Sequence, residues 1–140
     1  MLVRVIRWVV AVVVAAVMIA YGLKKLGVLG QPQFVYDWQE VTFRRADPYP
    51  FTMIWHFYGY SRAYGSFIAL CEIVPAILLL VPRTTTVGAA GIFVVMLNVT
   101  VMDWAFGVPR PATLLATGLL LGCGFLLWTD RQRLAALIAK

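Results

Sequence analysis

The chain has 140 residues, of which 62% are hydrophobic and only 13% are charged. This charged share is about half of that in a soluble domain, so a water-facing surface cannot cover so much apolar area. We therefore expect a single transmembrane domain over residues 1–140. The formal charge is +6, but the basic residues lie at the edges of apolar runs and form no stripe with interleaved aromatic residues. That placement suits lipid headgroups and argues against nucleic-acid binding.

The first apolar run predicts a membrane-spanning helix over about residues 8–28, because a span needs about 20 apolar residues. Arg4 and Arg7 precede it, and a cleaved signal peptide is the competing interpretation. The run has no small-residue cleavage site before Tyr21, and it continues past that residue. We therefore expect a helix that stays in the membrane.

Residues 30–60 differ in composition from the rest of the chain. They combine charged residues and prolines with many Trp, Tyr and Phe residues, including Trp38 and Trp55. Trp and Tyr favour the headgroup level of a bilayer, so we predict an interfacial loop that lies on the membrane. Long ordered loops often carry function, and this one is a candidate docking face.

Three further spans follow in close succession, and they cover about residues 62–81, 86–106 and 112–128. A proline at 82 and a run of Gly and Pro over residues 107–111 mark the turns between them. The spacing Gly118-x-x-x-Gly122 permits close approach of a neighbouring helix. The predicted fold class is all-α, an integral membrane four-helix bundle with an aromatic-rich interfacial loop between helices 1 and 2.

An even number of spans places both termini on one side of the membrane. The counts of positive residues are nearly equal on the two sides, but several on the loop side are embedded or close to acidic residues, which favours the cytoplasmic side for the termini. We therefore predict a multi-pass membrane protein with cytoplasmic termini.

Charged and amide side chains inside the predicted spans are candidates for function. Each charge near a span centre costs about 2.5–3.5 kcal/mol on insertion scales. At 1.5 Å per residue, Glu72 and Asn98 lie within about one helical turn of the same depth, which predicts a contact between them. Lys25 and Asp103 match at a shallower level, and Tyr21 shares a helix face with Lys25. The competing interpretation is structural: Glu72 ties helices together, and Lys25 extends to the interface.

Motifs for known enzyme chemistry are absent from the sequence. It has no His, Cys and carboxylate cluster with metal-ligand spacing, no nucleophile elbow and no glycine-rich phosphate loop. The cysteines Cys71 and Cys123 lie in separate apolar runs and are expected to be packing residues. We expect no metal, no evident cofactor and no free-standing enzyme.

Several short motifs, in a specific order, resemble the DoxX-like family of small bacterial integral membrane proteins. They are Tyr21-Gly-Leu-Lys-Lys25, Gln33-Phe34, and the segments 53–72, 78–88, 95–99, 106–109 and 130–134. The resemblance covers nearly the whole chain and implies a four-helix bundle. Relatives in that family include a subunit of a thiosulfate:quinone oxidoreductase. The chain departs from the pattern at residues 74–76, where Pro75 follows the glutamate, and at Asp103, where the family often has Asn.

The resemblance implies a protein of the bacterial cytoplasmic (inner) membrane that is either an accessory subunit or one that interacts with a quinone or a lipid, linked to membrane redox processes. The alternative is a structural partner subunit of a membrane complex without its own ligand, and a small transporter is the least favoured function. Expected partners are the lipid bilayer, a membrane or redox protein, and a second copy of the chain. The ligand-binding candidates are Tyr21, Lys25, Gln33, Glu72, Asn98 and Asp103.

Overall fold

A computed structural model describes residues 2–30, 33–34 and 50–138 of the chain. These residues form helices without strands, which confirms the predicted fold class. The helices are α1 (Leu2–Lys25), α2 (Pro50–Gly59), α3 (Arg62–Leu80), α4 (Thr85–Ala105), α5 (Arg110–Thr129) and α6 (Arg131–Ile138). Four of them, α1, α3, α4 and α5, are long and apolar enough to cross a membrane. The chain is therefore a multi-pass membrane protein.

The four spanning helices close into a bundle. Helix α1 packs on α3, α3 on α4 and α4 on α5, and α5 returns to α1. One end of the bundle, here called the terminal end, holds the start of α1, the α3–α4 turn and the end of α5. The loop end holds Lys25, α2 and the α4–α5 turn. The central part of the predicted interfacial loop, residues 35–49, lies outside the described residues, and α2 forms its last part.

Helix α1 begins earlier than the predicted first span, because the helical run continues through Arg4 and Arg7. Arginine is a good helix former, so these two charges do not end the helix. Helix α1 stops at Lys25, and Gly27 then adopts a φ of 74°. This left-handed conformation is typical of the glycine that follows a helix.

Small residues form the seams between the helices. Ala15, Ala69, Ala76 and Ala89 are completely buried. Lipid provides no hydrophobic drive between helices, so close contact of backbones stabilises such a bundle. The tightest approach is at Gly88, where an added Cβ would lie 2.4 Å from the backbone nitrogen of Leu79 on α3.

Only one glycine of the predicted pair Gly118-x-x-x-Gly122 in α5 lies at a contact with another helix. An added Cβ at Gly122 would lie 3.3 Å from Val14 and 3.4 Å from Val10 of α1, so Gly122 lies at a helix seam. Gly118 has no atom within 4 Å of that position. Outer faces of the bundle carry large apolar side chains such as Leu121, which is 69% exposed. Exposure of this kind fits a surface covered by lipid.

An ion pair joins two chain segments at the terminal end. Arg7 of α1 donates a hydrogen bond to Asp130, the residue that follows α5. The same carboxylate accepts a bond of 3.0 Å from the Thr86 hydroxyl at the start of α4. Asp130 is buried, so this one side chain joins three of the spanning helices at the terminal end.

Candidate functional site

The central feature of the bundle interior is an ion pair between Lys25 and Glu72. The Lys25 Nζ donates to both carboxylate oxygens of Glu72, at 2.9 and 2.8 Å. Lys25 is 7% exposed and Glu72 is 3% exposed. Hydrogen bonds between an ammonium and a carboxylate are among the strongest in proteins, and here both oxygens take part. The pair therefore links α1 to α3 inside the bundle.

Helix geometry explains why these two residues meet although Lys25 ends α1 and Glu72 lies in the middle of α3. Each Cα–Cβ bond tilts toward the N-terminus of its own helix. Helices α1 and α3 run in opposite directions, so the lysine side chain extends from the loop end toward the bundle middle. The glutamate side chain extends toward the loop end. The two charged groups therefore meet at a height between the Cα atoms of Lys25 and Glu72.

The predicted contact between Glu72 and Asn98 is wrong. Asn98 is exposed on the outer face of α4, whereas Met96 and Thr100 on the same helix are buried. Two residues along a helix correspond to a rotation of roughly 200°, so Asn98 points away from the face that these neighbours bury. A match in depth along the membrane normal carries no information about which face of its helix a residue occupies.

The predicted polar layer of Lys25 and Asp103 also differs from the structure. The ion pair of Lys25 is with Glu72. Asp103 is buried, at 7% exposure, on the inner face of α4. It lies near the phenol of Tyr58 in α2. Burial, followed by the nearby Tyr64, Asp103 and Glu72, raises the pKa of Tyr58 above its ordinary value. Asp103 thus stays a site residue, but its neighbour is an aromatic hydroxyl.

A cluster of four aromatic rings lies over the ion pair at the loop end. We call it the aromatic cover; it consists of Phe34, Trp55, Tyr58 and Tyr64. The centroid of Phe34 lies 5.4 Å from that of Tyr58 and 6.0 Å from that of Trp55, and the Tyr58 and Tyr64 centroids are 6.0 Å apart. These separations are within the range of favourable aromatic pairs.

The ion pair contacts the aromatic cover through Lys25. Its Nζ lies 5.8 Å from the ring centroid of Phe34, and on the other side it lies 5.6 Å from the ring centroid of Tyr21. A cation at this distance from a ring is attracted by the electrons of the ring face. Tyr21 is 39% exposed, so it lies at the edge of the site and Phe34 lies inside it.

Gln33 adds a polar atom beside the aromatic cover. Its backbone N–H donates to the carbonyl of Lys24 at 3.2 Å, which holds the loop against the end of α1. Its side-chain oxygen Oε1 is buried and has no hydrogen-bond partner among the described residues. A buried acceptor without a donor costs about 1–3 kcal/mol, so an incoming donor at this atom would be stabilised.

Sequence reasoning missed Tyr58 and Tyr64 as site residues. Tyr58 belongs to the predicted interfacial loop and Tyr64 to the predicted second span, and nothing in their spacing shows that α2 folds back over the bundle. The Arg7–Asp130 pair was also missed. A signal for it was present, since four spans bring the start of α1 and the end of α5 to the same side of the membrane.

Metal ligands are not grouped in the part of the chain that the structure describes. No set of three or more His, Cys, Asp and Glu residues there could hold a metal ion. Cys71 and Cys123 are free. The described side chains of the site supply hydrogen bonds, an ion pair and aromatic faces.

Comparison with known proteins gives one relative. A protein of Bacillus subtilis (strain 168) called uncharacterized protein YwoB is 37% identical over 115 residues, which are 81% of this chain and 69% of that protein. The chain belongs to the YwoB family. No family model and no solved structure matches it, so the resemblance of this member of the YwoB family to the DoxX-like proteins stays a prediction.

Proposed function

We propose that the chain is an accessory subunit of the bacterial cytoplasmic membrane that binds the head group of a quinone or a similar lipid, in a membrane redox process. The observation that carries this proposal is the Lys25–Glu72 pair, buried beneath the aromatic cover. Ionisable residues within spans are expensive and mark ligand or proton sites by default. A ligand site typically combines apolar and aromatic walls with a few placed polar groups.

The polar groups around the pair suit both redox forms of a quinone head group. The Tyr58 hydroxyl donates to the Met102 sulfur at 3.5 Å. A thioether is a weak acceptor, so a ring carbonyl would compete for this donor. For a reduced head group, the buried Gln33 Oε1 supplies an acceptor. The carboxylate of Glu72 has acceptor capacity beyond its two bonds from Lys25.

Cytoplasmic termini are part of the proposal. Lys and Arg residues are nearly equal in number on the two sides of the spans, but on the loop side Lys25 is neutralised by Glu72. Without this lysine a small excess is left at the terminal end, and such an excess favours the cytoplasmic side. In this orientation the aromatic cover faces the opposite side of the membrane.

A second candidate function is that of a structural partner subunit, which binds another membrane or redox protein or a second copy of the chain. The bonds of Lys25 to both oxygens of Glu72 favour this function. Because these bonds are made within the protein, the pair can hold α1 against α3 without a ligand. Breaking such a buried pair costs about 3–5 kcal/mol. The aromatic docking face proposed for this function falls mainly on residues 35–49, which lie outside the described residues.

The experiment compares four proteins extracted with their native lipid: wild type, Tyr58→Phe, Glu72→Gln, and the charge exchange Lys25→Glu with Glu72→Lys. Mass spectrometry measures quinone per protein, and thermal unfolding measures stability. We expect wild type to hold quinone above its proportion in the membrane. Tyr58→Phe removes one hydroxyl and keeps the ring, so it should keep the fold and lose most of the quinone.

The charge exchange separates the two functions. It restores an ion pair and therefore the stability that Glu72→Gln loses, but it places each charge where the other was. Quinone lost from the stable exchange variant would support a ligand site. If wild type holds no more quinone than the bulk membrane, the binding proposal is refuted and the structural function takes its place.

A further inference from the structure

A cavity of about 350 Å³ opens at the terminal end of the bundle. It lies between the first turns of α1, the α3–α4 turn and α6. Its lining includes Arg4, Arg7, Trp8, Pro82, Thr85 and Arg133. The distance from Arg7 to Lys25 along α1 is about 27 Å at 1.5 Å per residue. The cavity is therefore separate from the Lys25–Glu72 site.

The charges around this cavity are unbalanced. Arg7 is paired with Asp130, whose carboxylate also accepts a bond from Thr86. Arg4 and Arg133 are exposed, and neither forms an ion pair with any residue from 2–30, 33–34 or 50–138. No acidic residue is among the lining residues that the structure describes. Two guanidinium groups that have no counter-charge among the described residues therefore face the same concave space.

We propose that this cavity binds a phosphate group, carried by an anionic phospholipid or present as inorganic phosphate. The planar guanidinium group matches phosphate oxygens with two parallel hydrogen bonds. Trp8 on the wall is typical of the headgroup level of a bilayer, which is the level of lipid phosphates. The volume is at the small end of ligand pockets, which suits a head group and excludes a large cofactor.

The test uses two double variants that each remove two positive charges. Arg4→Gln with Arg133→Gln changes the cavity. Arg83→Gln with Arg110→Gln is the matched control, because both of these arginines are exposed and neither lines the cavity. Native mass spectrometry of the full chain gives the apparent Kd for phosphatidylglycerol and for phosphatidylcholine. Thermal unfolding in phosphatidylcholine vesicles is measured with sodium phosphate and with sodium chloride at equal ionic strength.

Wild type should prefer phosphatidylglycerol by about tenfold or more. The cavity variant should lose roughly 25-fold in affinity for that lipid, about fivefold for each arginine, while the control loses about twofold at most. Thermal stabilisation by sodium phosphate in wild type, absent from the cavity variant, would identify inorganic phosphate as the source. Preference for phosphatidylglycerol without that stabilisation would identify the lipid.

Two results would overturn the proposal. One is equal binding of both lipids together with no stabilisation by phosphate. The other is an equal loss in the cavity variant and the control, which would show a general surface charge. The single variants Arg4→Gln and Arg133→Gln replace the double variant if its unfolding midpoint in phosphatidylcholine falls below that of wild type.

Discussion

Gly88 lies where α4 comes closest to α3, and replacing it with alanine is a direct test of the packing. The added Cβ would lie 2.4 Å from the Leu79 backbone nitrogen and 2.6 Å from the Pro75 carbonyl oxygen. Ordinary contacts between such atoms are about 3.5–4.0 Å, and no side-chain rotation can move a backbone atom away. Helix α4 must therefore shift by roughly 1 Å from its neighbour.

The expected change in the free energy of unfolding is the difference between two effects of opposite sign. A gap of 0.5–1 Å forfeits about a quarter to a half of the dispersion energy across a seam, and Ala89 and Ile92 on the same face are completely buried. Overpacking of this kind costs about 1–3 kcal/mol. Replacement of a helical glycine by alanine recovers up to about 1 kcal/mol. We expect a net loss of about 1 kcal/mol, which is about fivefold in the unfolding equilibrium.

The assay is reversible unfolding in mixed micelles, with circular dichroism followed as the fraction of a denaturing detergent increases. Gly118→Ala is the control, because its Cβ meets no atom within 4 Å. That variant keeps only the gain in helix propensity and should be stabilised by about 0.5–1 kcal/mol. The account of the α3–α4 seam is refuted if Gly88→Ala is as stable as wild type.

Three further predictions use the same unfolding assay or a titration. Asp130→Asn should lower stability by about 1–2 kcal/mol, because Arg7 loses a charged partner but is partly exposed; an unchanged midpoint would show that the pair does not stabilise the bundle. Asn98→Leu should leave stability within about 0.5 kcal/mol of wild type, whereas a loss of 1–3 kcal/mol would revive a buried contact for this amide. Tyr58 should remain protonated above pH 10.0, because burial raises its pKa. The unfolded state releases this proton at a lower pH than the folded state, so the free energy of unfolding should fall as the pH rises above that value. Phenolate absorbance is titrated for wild type and for Tyr58→Phe, and identical titration curves for the two proteins would contradict the prediction.

The spanning helices were predictable because length and apolar composition alone determine whether a helix can cross a bilayer. Prolines and glycines between the spans gave their order and their ends to within a few residues. The exception is α1, whose first residues were set aside because of Arg4 and Arg7. These long side chains can reach the interface from within a helix, so charge at a span end is a poor guide to where the helix begins.

The pairing of polar residues was only partly predictable. Glu72 and Lys25 were identified as costly charges, but depth along the membrane normal gave them the wrong partners. Contacts inside a bundle also depend on the helix face and on side-chain direction. Met96, Thr100 and Asp103 follow a helical period, and this pattern could have shown that Asn98 lies on the other face. The fold of α2 over the pair depends on tertiary contacts that no local pattern encodes.

The order of the two charges along the chain has a consequence for biosynthesis. Synthesis proceeds from the N-terminus, so α1 with Lys25 reaches the membrane before α3 with Glu72. A charge near the centre of an isolated span costs about 2.5–3.5 kcal/mol on insertion. The ammonium group that neutralises Glu72 is thus already in place when this segment leaves the ribosome. We therefore expect α1 to act as an insertion partner for α3 during synthesis.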